Sequence, residues 1–263
     1  MRARDAVDAA VDAFEAAGVE TPRLDAEVLV ADALGVERSA LVIDPALAVP
    51  GAAARLIGER ARRRVAREPV AYILGCKGFR RLEVRVDSRV LIPRPETELL
   101  VEVALGLPAG SRVHDVGTGS GAVALALEDE RPDLSVTASD ASAAAVEVAR
   151  LNGLSAAVCE GLPEGDYDMV VANLPYVRED EWAGLAPEIR LWEPREALVG
   201  GIDGLDAIRS LVAGAPPGLP LALEHAPGQT EAMKGLLRSP RVYPDLAGLP
   251  RVTVGHAAHS TSI

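Results

Sequence analysis

The segment DVGTGSG, from Asp115 to Gly121, constrains the fold of this chain more than any other segment. It follows the strand-like run SRVH and precedes the apolar run AVALAL, so three closely spaced glycines stand between a strand and a helix. Glycine adopts positive φ angles and lets the backbone approach a ligand closely. A strand that turns on glycines into a helix is typical of nucleotide-binding α/β sheets, and the helix N-terminus can receive a carboxylate.

Strand and helix patterns alternate along the chain from this motif onward. Strands are predicted at LSVTASD, AAVCEG, YDMVVAN and LPLALEHA, with a last edge strand at RVTVGH. The segments AVALALEDE, SAAAVEVARLNG, LDAIRSLVAGA and TEAMKGLLRS have helical patterns. This order predicts an α/β fold, a doubly wound Rossmann-like sheet that is mostly parallel and has an antiparallel element at its end.

The N-terminal part has a different pattern. Ala-rich helices are predicted from the start of the chain to Gly18, from Thr21-Pro22 to Gly35, and from Gly51 to Arg67. Between Tyr72 and Leu91 an alternation with a period of two predicts a β-hairpin that turns near Asp87-Ser88. We therefore predict a small all-helical domain over residues 1–70, a linking hairpin over 71–92 and an α/β domain over 93–263.

Composition excludes several classes of function. The net charge of −12 disfavours binding to bare nucleic acid, which needs a basic surface, so no direct nucleic-acid binding is expected. No window approaches ~18 apolar residues, and the N-terminus lacks an apolar signal core, so a cytoplasmic protein without membrane contact is expected. Cys76 and Cys159 provide neither a disulfide framework nor a spaced metal site, so no metal is expected.

One local cluster is basic. It lies in the segment ERARRRVAREP and comprises Arg60, Arg62, Arg63, Arg64 and Arg67. Two interpretations stay open from the sequence: a solvated helix face, or a contact with an acidic or RNA-rich partner.

The glycine motif admits two cofactors. The segment GTGSGA fits the G-x-G-x-x-A pattern of NAD sites, and Asp140, which ends the next strand, could accept the ribose hydroxyls of either cofactor. Asp115 stands two residues before Gly117, where it can meet the ammonium group of a methionine moiety. This position favours S-adenosylmethionine over NAD.

The segment NLPY, from Asn173 to Tyr176, follows a buried strand. The nitrogen of a planar amide or exocyclic amine is a poor nucleophile, because its lone pair is delocalised. Two acceptors, the Asn173 side-chain oxygen and the Leu174 carbonyl, could hold its two N–H groups and aim it at a methyl group. Pro175 would stiffen the loop, and the Tyr176 ring would offer a face for stacking.

With these motifs the chain resembles the protein-(glutamine-N5) methyltransferases that modify the Gly-Gly-Gln loop of peptide-chain release factors. The resemblance runs nearly from end to end. It rests on AGVETPRLDAEVLVADALG, PVAYILGCKGFRRLEVRVDSRVLIPRPETELLVE, DVGTGSG, NLPY, EPREALVGGIDGLDAIR, LALEHAPGQ and DLAGLPRV. The segments PRPETE, EPREAL and GGIDGLD are the most specific of these.

The resemblance implies a class I methyltransferase fold, S-adenosylmethionine as cofactor, a release factor as protein partner, and roles for individual residues. The cofactor residues would be Asp115, Gly117, Thr118, Gly119, Ser120, Gly121, Asp140, Leu162 and Asn173. The catalytic and glutamine-binding residues would be Asn173, Leu174, Pro175 and Tyr176, with Arg94, Thr97 and Glu98 along the approach. Two positions depart from the family pattern: Leu174 replaces a proline, and Leu162 is only a weak equivalent of the usual apolar wall for adenine.

Other functions stay open at this point. The chain could methylate an exocyclic amine of DNA or RNA, or another glutamine-containing protein. A nicotinamide-dependent oxidoreductase would leave NLPY without a role, and an inactive binding protein would not need Asp115, Asp140 and Asn173. Nothing in the sequence demands more than a monomer, which is therefore expected.

Overall fold

A computed structural model of the chain describes residues 1–258. The chain forms two compact units. The first comprises Met1–Gly75 together with Ala186–Trp192, and the second comprises Cys76–Leu185 and Glu193–Ile263.

The helices and strands have the following bounds. The helices are α1 (Ala3–Ala16), α2 (Pro22–Leu34), α3 (Arg38–Ile43), α4 (Gly51–Val65), α5 (Val70–Leu74), α6 (Glu98–Leu105), α7 (Ala122–Glu130), α8 (Ala143–Leu151), α9 (Pro187–Trp192), α10 (Asp206–Gly214) and α11 (Thr230–Leu236). The strands are β1 (Cys76–Phe79), β2 (Leu82–Arg85), β3 (Arg112–Val116), β4 (Ser135–Asp140), β5 (Ala156–Val158), β6 (Met169–Ala172), β7 (Pro220–Glu224), β8 (Leu237–Pro244) and β9 (Pro250–Ala257).

The first unit is all helical and has its own apolar core. Phe14 of α1 is fully buried there, with Leu29 and Val30 of α2. Pro22 lies in the first turn of α2, and Gly35 ends that helix with a φ of 66°, a left-handed conformation that glycine adopts without strain. Helices α1, α2 and α4 therefore lie where the sequence predicts them, whereas α3 and α5 were missed.

The arginine cluster is largely paired within this first unit. Arg64 of α4 is only 5% exposed and binds both Asp25, at 2.7 Å, and Glu188 of α9, at 2.8 Å. Ion pairs also join Arg60 to Asp32, Arg63 to Glu68 and Arg67 to Glu188. The interpretation as a solvated helix face is wrong for Arg64, because its guanidinium is a buried bridge between distant segments.

The hairpin is shorter than predicted and turns earlier. Its strands β1 and β2 pair Phe79 with Leu82, so the turn lies at Arg80-Arg81 and not at Asp87-Ser88. Arg80 has a φ of 54°, and its guanidinium is held by Glu102 and Glu130. The alternation of apolar and polar residues in the sequence continues past Arg85, although the strand ends there. It continues because Val86 and Val90 are buried in backbone that belongs to no strand.

The second unit is built on a seven-stranded sheet with the order β5-β4-β3-β6-β7-β9-β8. The strands from β5 to β7 pair in parallel, and β9 pairs antiparallel with both β7 and β8. This confirms the doubly wound sheet with an antiparallel end. The chain moves outward from β3 to β5 and then returns to place β6 on the other side of β3, so the topological switch point lies between β3 and β6.

The predicted edge strand is wrong in position. RVTVGH belongs to β9, which lies between β7 and β8, and the edge is β8, which contains SPRVYP. The sequence LLRSPRVYP has prolines that are tolerated at an edge because one side of the strand needs no hydrogen bonds. Within residues 1–258, no helix combines the length and apolarity that crossing a membrane would require.

Candidate active site at the switch point of the sheet

The switch point holds a cavity of about 480 Å³ in the second unit. Ligands of open α/β sheets bind in the crevice beyond the carboxyl ends of the strands, and this volume suits a nucleoside-sized ligand. The predicted site residues that line it are Thr97, Asp115, Gly117, Thr118, Gly119, Ser120, Asp140, Asn173, Leu174 and Pro175. Five predicted residues do not line it: Arg94, Glu98, Gly121, Leu162 and Tyr176.

The glycines of the turn after β3 have different tasks. Gly117 has a φ of 72°, and a Cβ there would come within 2.9 Å of the Leu174 side chain. Gly121 has a φ of 86° at the start of α7, and a Cβ there would come within 2.9 Å of Leu154. The lack of a side chain at Gly117 therefore leaves room for Leu174 where the turn meets the NLPY segment. The lack of one at Gly121 leaves room for Leu154, so that α7 can pack behind the cavity.

Asp115 is a buried carboxylate at the cavity wall. The Thr118 hydroxyl donates to its Oδ2 at 2.6 Å. Burial raises the pKa of Asp115 to about 7, and the nearby charge of Asp140 adds to this effect. A carboxylate whose charge is disfavoured by burial is a fitting partner for a ligand cation such as an ammonium group.

Asp140 ends β4 on the opposite side of the turn. Its Oδ2 accepts from the Gly119 backbone N–H at 2.9 Å, and its Oδ1 accepts from the Ser142 N–H at 2.8 Å. These two bonds fix the orientation of the carboxylate. Each carboxylate oxygen keeps a further lone pair, so the group can still accept two hydroxyl groups of a sugar.

The wall next to Asp140 is formed by the segment after β5. Cys159, Glu160 and Gly161 line the cavity there, while Leu162 packs against the apolar cluster around Val116 and Val170. Cys159 N–H donates to the Asp140 carbonyl at 2.9 Å, which holds this segment against β4. The role of Leu162 as an adenine wall stays a prediction.

Asn173 follows β6 and faces the turn of β3. Its Nδ2 donates to the hydroxyl oxygen of the buried Thr97 at 2.9 Å. With Nδ2 engaged, Oδ1 is the end of the side-chain amide that can accept from a ligand. Thr97 is the one residue of the predicted trio Arg94, Thr97 and Glu98 that lines the cavity.

Tyr176 does not line the cavity and is anchored on the neighbouring strand β7. Its hydroxyl donates to Oε1 of Glu224, the last residue of β7, at 3.1 Å. Burial and the adjacent Glu224 raise the pKa of Tyr176 well above its usual range. Glu224 is only 1% exposed, and burial raises the pKa of its carboxyl to about 7. Sequence reasoning missed Glu224, although an acid that ends the apolar run LPLALE was a usable signal.

Two further segments hold the NLPY backbone in place. A Cβ at Gly200 would collide with the Pro175 carbonyl oxygen, and one at Gly204 with the Tyr176 carbonyl oxygen. Gln229 Nε2 donates to the Tyr176 carbonyl at 2.9 Å and to the Asp203 carbonyl at 3.1 Å. The segments GGIDGLD and LALEHAPGQ therefore support the loop that carries Asn173.

Arg94 and Glu98 are engaged in contacts of their own. Arg94 binds Glu193 at 2.5 Å, and the Ile92 N–H donates to the same carboxylate at 3.0 Å. Glu98 accepts from the Arg80 N–H at 3.0 Å. Over residues 1–258, no cluster of three or more His, Cys, Asp or Glu side chains is placed to hold a metal ion.

Two protein-family models match the chain. Residues 5–75 match the PrmC N-terminal domain, and residues 95–189 match the methyltransferase small domain. Among curated proteins, a release factor glutamine methyltransferase of Cereibacter sphaeroides is 42% identical, with 97% of this chain and 94% of the relative covered. A release factor glutamine methyltransferase of Coxiella burnetii is 38% identical over 89% of this chain and 92% of the relative.

Solved structures resemble the chain in fold. The hMettl16 catalytic domain, in complex with MAT2A 3′UTR hairpin 6, has a TM-score of 0.51 and 13% identity, and covers 74% of this chain and 83% of that one. At this identity the likeness concerns the fold alone.

Proposed function

The chain belongs to the S-adenosylmethionine-dependent release factor glutamine methyltransferases, and we propose that it methylates the side-chain nitrogen of a protein glutamine, that of the Gly-Gly-Gln loop of peptide-chain release factors. One observation carries the proposal. Asn173 stands at the carboxyl end of β6 with Nδ2 held by Thr97, so that its oxygen is left for the N–H groups of a substrate amide.

The cavity fits the cofactor on its own chemistry. Asp115 offers a buried carboxylate for the ammonium group, the backbone at Gly117 and Gly119 permits close approach, and Asp140 is fixed to accept the ribose hydroxyls. Thr118 and Ser120 line the same turn, and Gly121 supports it from behind. When bound, S-adenosylmethionine supplies an electrophilic methyl group next to a good leaving group.

The residues of the chain then have to position and polarise the substrate. The Asn173 oxygen and the Leu174 carbonyl would each accept one N–H of the glutamine amide, which aims the nitrogen and favours the positive charge that develops on it. This work is orientation and electrostatics, and it requires no covalent intermediate on the protein. Leu174 supplies a carbonyl as proline would, while its side chain packs beside Gly117.

The arrangement of Tyr176 gives it a supporting role. Since its hydroxyl is anchored on Glu224, the ring is held in one orientation behind the loop. We propose that it braces Asn173 and Pro175 in this way. Arg94 and Glu98 would shape the entry segment through Glu193 and Arg80, rather than touch the substrate.

The remaining proposals concern the setting of the reaction. We propose that the helical unit helps to dock the release factor, that the enzyme works as a monomer, and that it acts in the cytoplasm, where release factors are found. Because most arginines of the cluster are paired, α4 would contribute to docking through exposed groups such as Arg62.

The test is methyl transfer from labelled S-adenosylmethionine to a purified release factor and to its variant with the Gly-Gly-Gln glutamine changed to alanine. Label on the unaltered factor alone supports the proposal. Label on both would move the target to another residue. Label on neither, with transfer to DNA or RNA in the same assay, would favour an exocyclic base amine as the acceptor.

A further inference from the structure

The carboxylate of Glu224 is a buried group to which the proposed mechanism gives no task beyond the anchoring of Tyr176. Its Oε1 accepts from the Tyr176 hydroxyl, whereas its Oε2 is buried without a hydrogen-bond partner among the residues that the structure describes. A buried oxygen without a hydrogen-bond partner lowers the stability of the fold, so we expect an adjacent side chain to be able to donate a proton to it. The Thr97 hydroxyl, which is itself buried, is the candidate: it lowers the pKa of the Glu224 carboxyl, although the structure shows no hydrogen bond between the two groups.

Thr97 also accepts a hydrogen bond from Asn173, and a second bond from Thr97 to Glu224 would determine the direction of both. A hydroxyl has one proton to donate and lone pairs to accept with. If the Thr97 hydroxyl donates its proton to the Glu224 carboxylate, the Thr97 oxygen can only accept from Asn173. This agrees with the structure, in which Asn173 Nδ2 donates to that oxygen at 2.9 Å. The Asn173 oxygen must then face the cavity.

We propose that Glu224 is a positioning residue which, through the Thr97 hydroxyl, fixes the side-chain amide of Asn173 with its oxygen toward the substrate glutamine. The inference deepens the proposed function and rests on it, because it names the group that orients the proposed substrate acceptor. Without Glu224 as acceptor, the Thr97 hydroxyl could instead donate to Asn173, and the amide would turn its NH2 group to the cavity. Such a donor would repel the N–H groups of a substrate amide.

In this proposal the same carboxylate would hold both ends of the NLPY segment. The Tyr176 hydroxyl bonds to it directly at the end of the segment, and in the proposed relay Thr97, which already accepts from Asn173, would connect it to the start. A single acceptor at the end of β7 would then set the orientation of both polar side chains of the loop that follows the neighbouring strand β6.

The charged state of Glu224 depends on several neighbours. Arg251 of β9 favours the carboxylate, as do the hydroxyls of Thr97 and Tyr176, whereas Glu96 of the entry segment and burial disfavour it. Arg94 acts on the adjacent Tyr176. Burial dominates and raises the pKa of Glu224 to about 7. We therefore expect kcat to fall as the pH decreases below about 7, because a protonated Glu224 can donate to Thr97.

The experiment compares Glu224→Gln, Thr97→Val and Thr97→Ser with the unaltered full-length enzyme. Gln keeps the shape of Glu224 but offers a donor, Val removes the hydroxyl, and Ser retains it. We expect kcat to fall about tenfold to a hundredfold in E224Q and T97V, and to stay within about threefold in T97S. The Kd for S-adenosylmethionine should stay within about twofold in all three, and E224Q should lose the acid limb of the kcat profile.

A double-mutant cycle and a spectroscopic signal complete the test. E224Q combined with T97V should be little slower than either variant alone, because both remove the same relay.

The Asn173 side-chain amide signal in a ¹H–¹⁵N spectrum, identified by its loss in Asn173→Ala, should shift in E224Q and T97V and move with pH in the unaltered enzyme. Additive losses of kcat, an acid limb that persists in E224Q, or an unchanged Asn173 signal would overturn the relay. If the unaltered enzyme transfers no methyl group to release factors, the proposed function fails, and the Asn173 signal still decides the relay.

Discussion

The Gln229 side-chain amide donates to the Tyr176 carbonyl at 2.9 Å, although 53 residues separate the two. The same amide donates to the Asp203 carbonyl at 3.1 Å, and its oxygen accepts from the Ala226 N–H at 3.0 Å. One buried side chain thus joins the NLPY loop to the GGIDGLD segment and to the end of β7. The geometry of the proposed acceptors depends on this junction as well as on the strand that carries them.

We expect Gln229→Glu to disturb the proposed methyl transfer more than cofactor binding. The new oxygen would face two carbonyl oxygens, so the loop would shift, and displacements on the order of an ångström cost about a hundredfold in rate. kcat and the Kd for S-adenosylmethionine should be measured together, with the exposed Glu231→Gln as the control variant. A variant with normal kcat would show that the junction does not position the loop.

Much of the fold was predictable, because the alternating patterns and the DVGTGSG turn reflect local rules. The hairpin turn was misplaced because Val86 and Val90 are buried in irregular backbone and so extend the alternation. The edge strand was misplaced because pairing order in an antiparallel end depends on contacts between distant segments, such as β8 with β9.

The sequence motifs of the site predicted Asp115, Asp140 and Asn173, and all three line the cavity, while their roles stay predictions. The site was not predictable where distant residues meet. The connection of Thr97 with Asn173 spans 76 residues, and that of Tyr176 with Glu224 spans 48. The burial of Arg64 likewise needs Glu188, which lies 124 residues further along the chain.

Asn173→Ala should abolish turnover and largely spare cofactor binding, since it removes the acceptor for the substrate amide while Asp115 and Asp140 remain. Loss of one preorganised hydrogen bond costs about 10²–10³ in kcat. Single-turnover rates with a release factor and calorimetric titration with S-adenosylmethionine would separate the two effects. If the rate stays near that of the unaltered enzyme, Asn173 does not hold the glutamine.

Asp115 should couple cofactor binding to proton release near neutral pH. Burial raises its pKa to about 7, and an ammonium group beside the carboxylate would lower that pKa again, so roughly half a proton would leave on binding at pH 7. Titration calorimetry in buffers of different ionisation enthalpy measures this number. Asp115→Asn should bind about ten- to a hundredfold more weakly, without this release.

Methylthioadenosine, which lacks the amino-acid moiety, provides the ligand control for Asp115. It should bind to the unaltered protein and to Asp115→Asn without proton release, because it brings no ammonium group to the carboxylate. Equal proton release with S-adenosylmethionine in the unaltered protein and in D115N would remove the assignment of Asp115 to the ammonium group.

Arg64→Ala should destabilise the helical unit strongly. Its guanidinium neutralises the Asp25 and Glu188 carboxylates, and loss of one partner in a buried ion pair costs about 3–5 kcal/mol. Arg62, on the same helix but exposed, is the matched control, and Arg62→Ala should change the free energy of unfolding by less than about 0.5 kcal/mol.

The fluorescence of Trp192 reports on this unit, because its indole N–H donates to the Ala66 carbonyl at 3.3 Å. Urea unfolding followed in a Trp182→Phe background would isolate that signal. Equal effects of R64A and R62A would show that the bridge contributes no more than an exposed arginine.

Glu224→Gln should stabilise the protein at alkaline pH while it impairs turnover. Burial raises the pKa of Glu224 from 4.5 to about 7, so the folded state binds its proton more tightly than the unfolded state. The stability that this confers is fully present below about pH 4.5 and is lost as the pH rises through 7. A neutral glutamine avoids that loss, so E224Q should be more stable than the unaltered enzyme by at most about 3 kcal/mol at pH 8. At pH 5, where Glu224 is itself protonated, the difference in stability should nearly vanish.

Asp115 titrates in the same range in both proteins, so its contribution cancels in the comparison. Denaturant unfolding at the two pH values measures the effect, and a stability difference of the same size at pH 5 and pH 8 would show that the charge of Glu224 is not its cause.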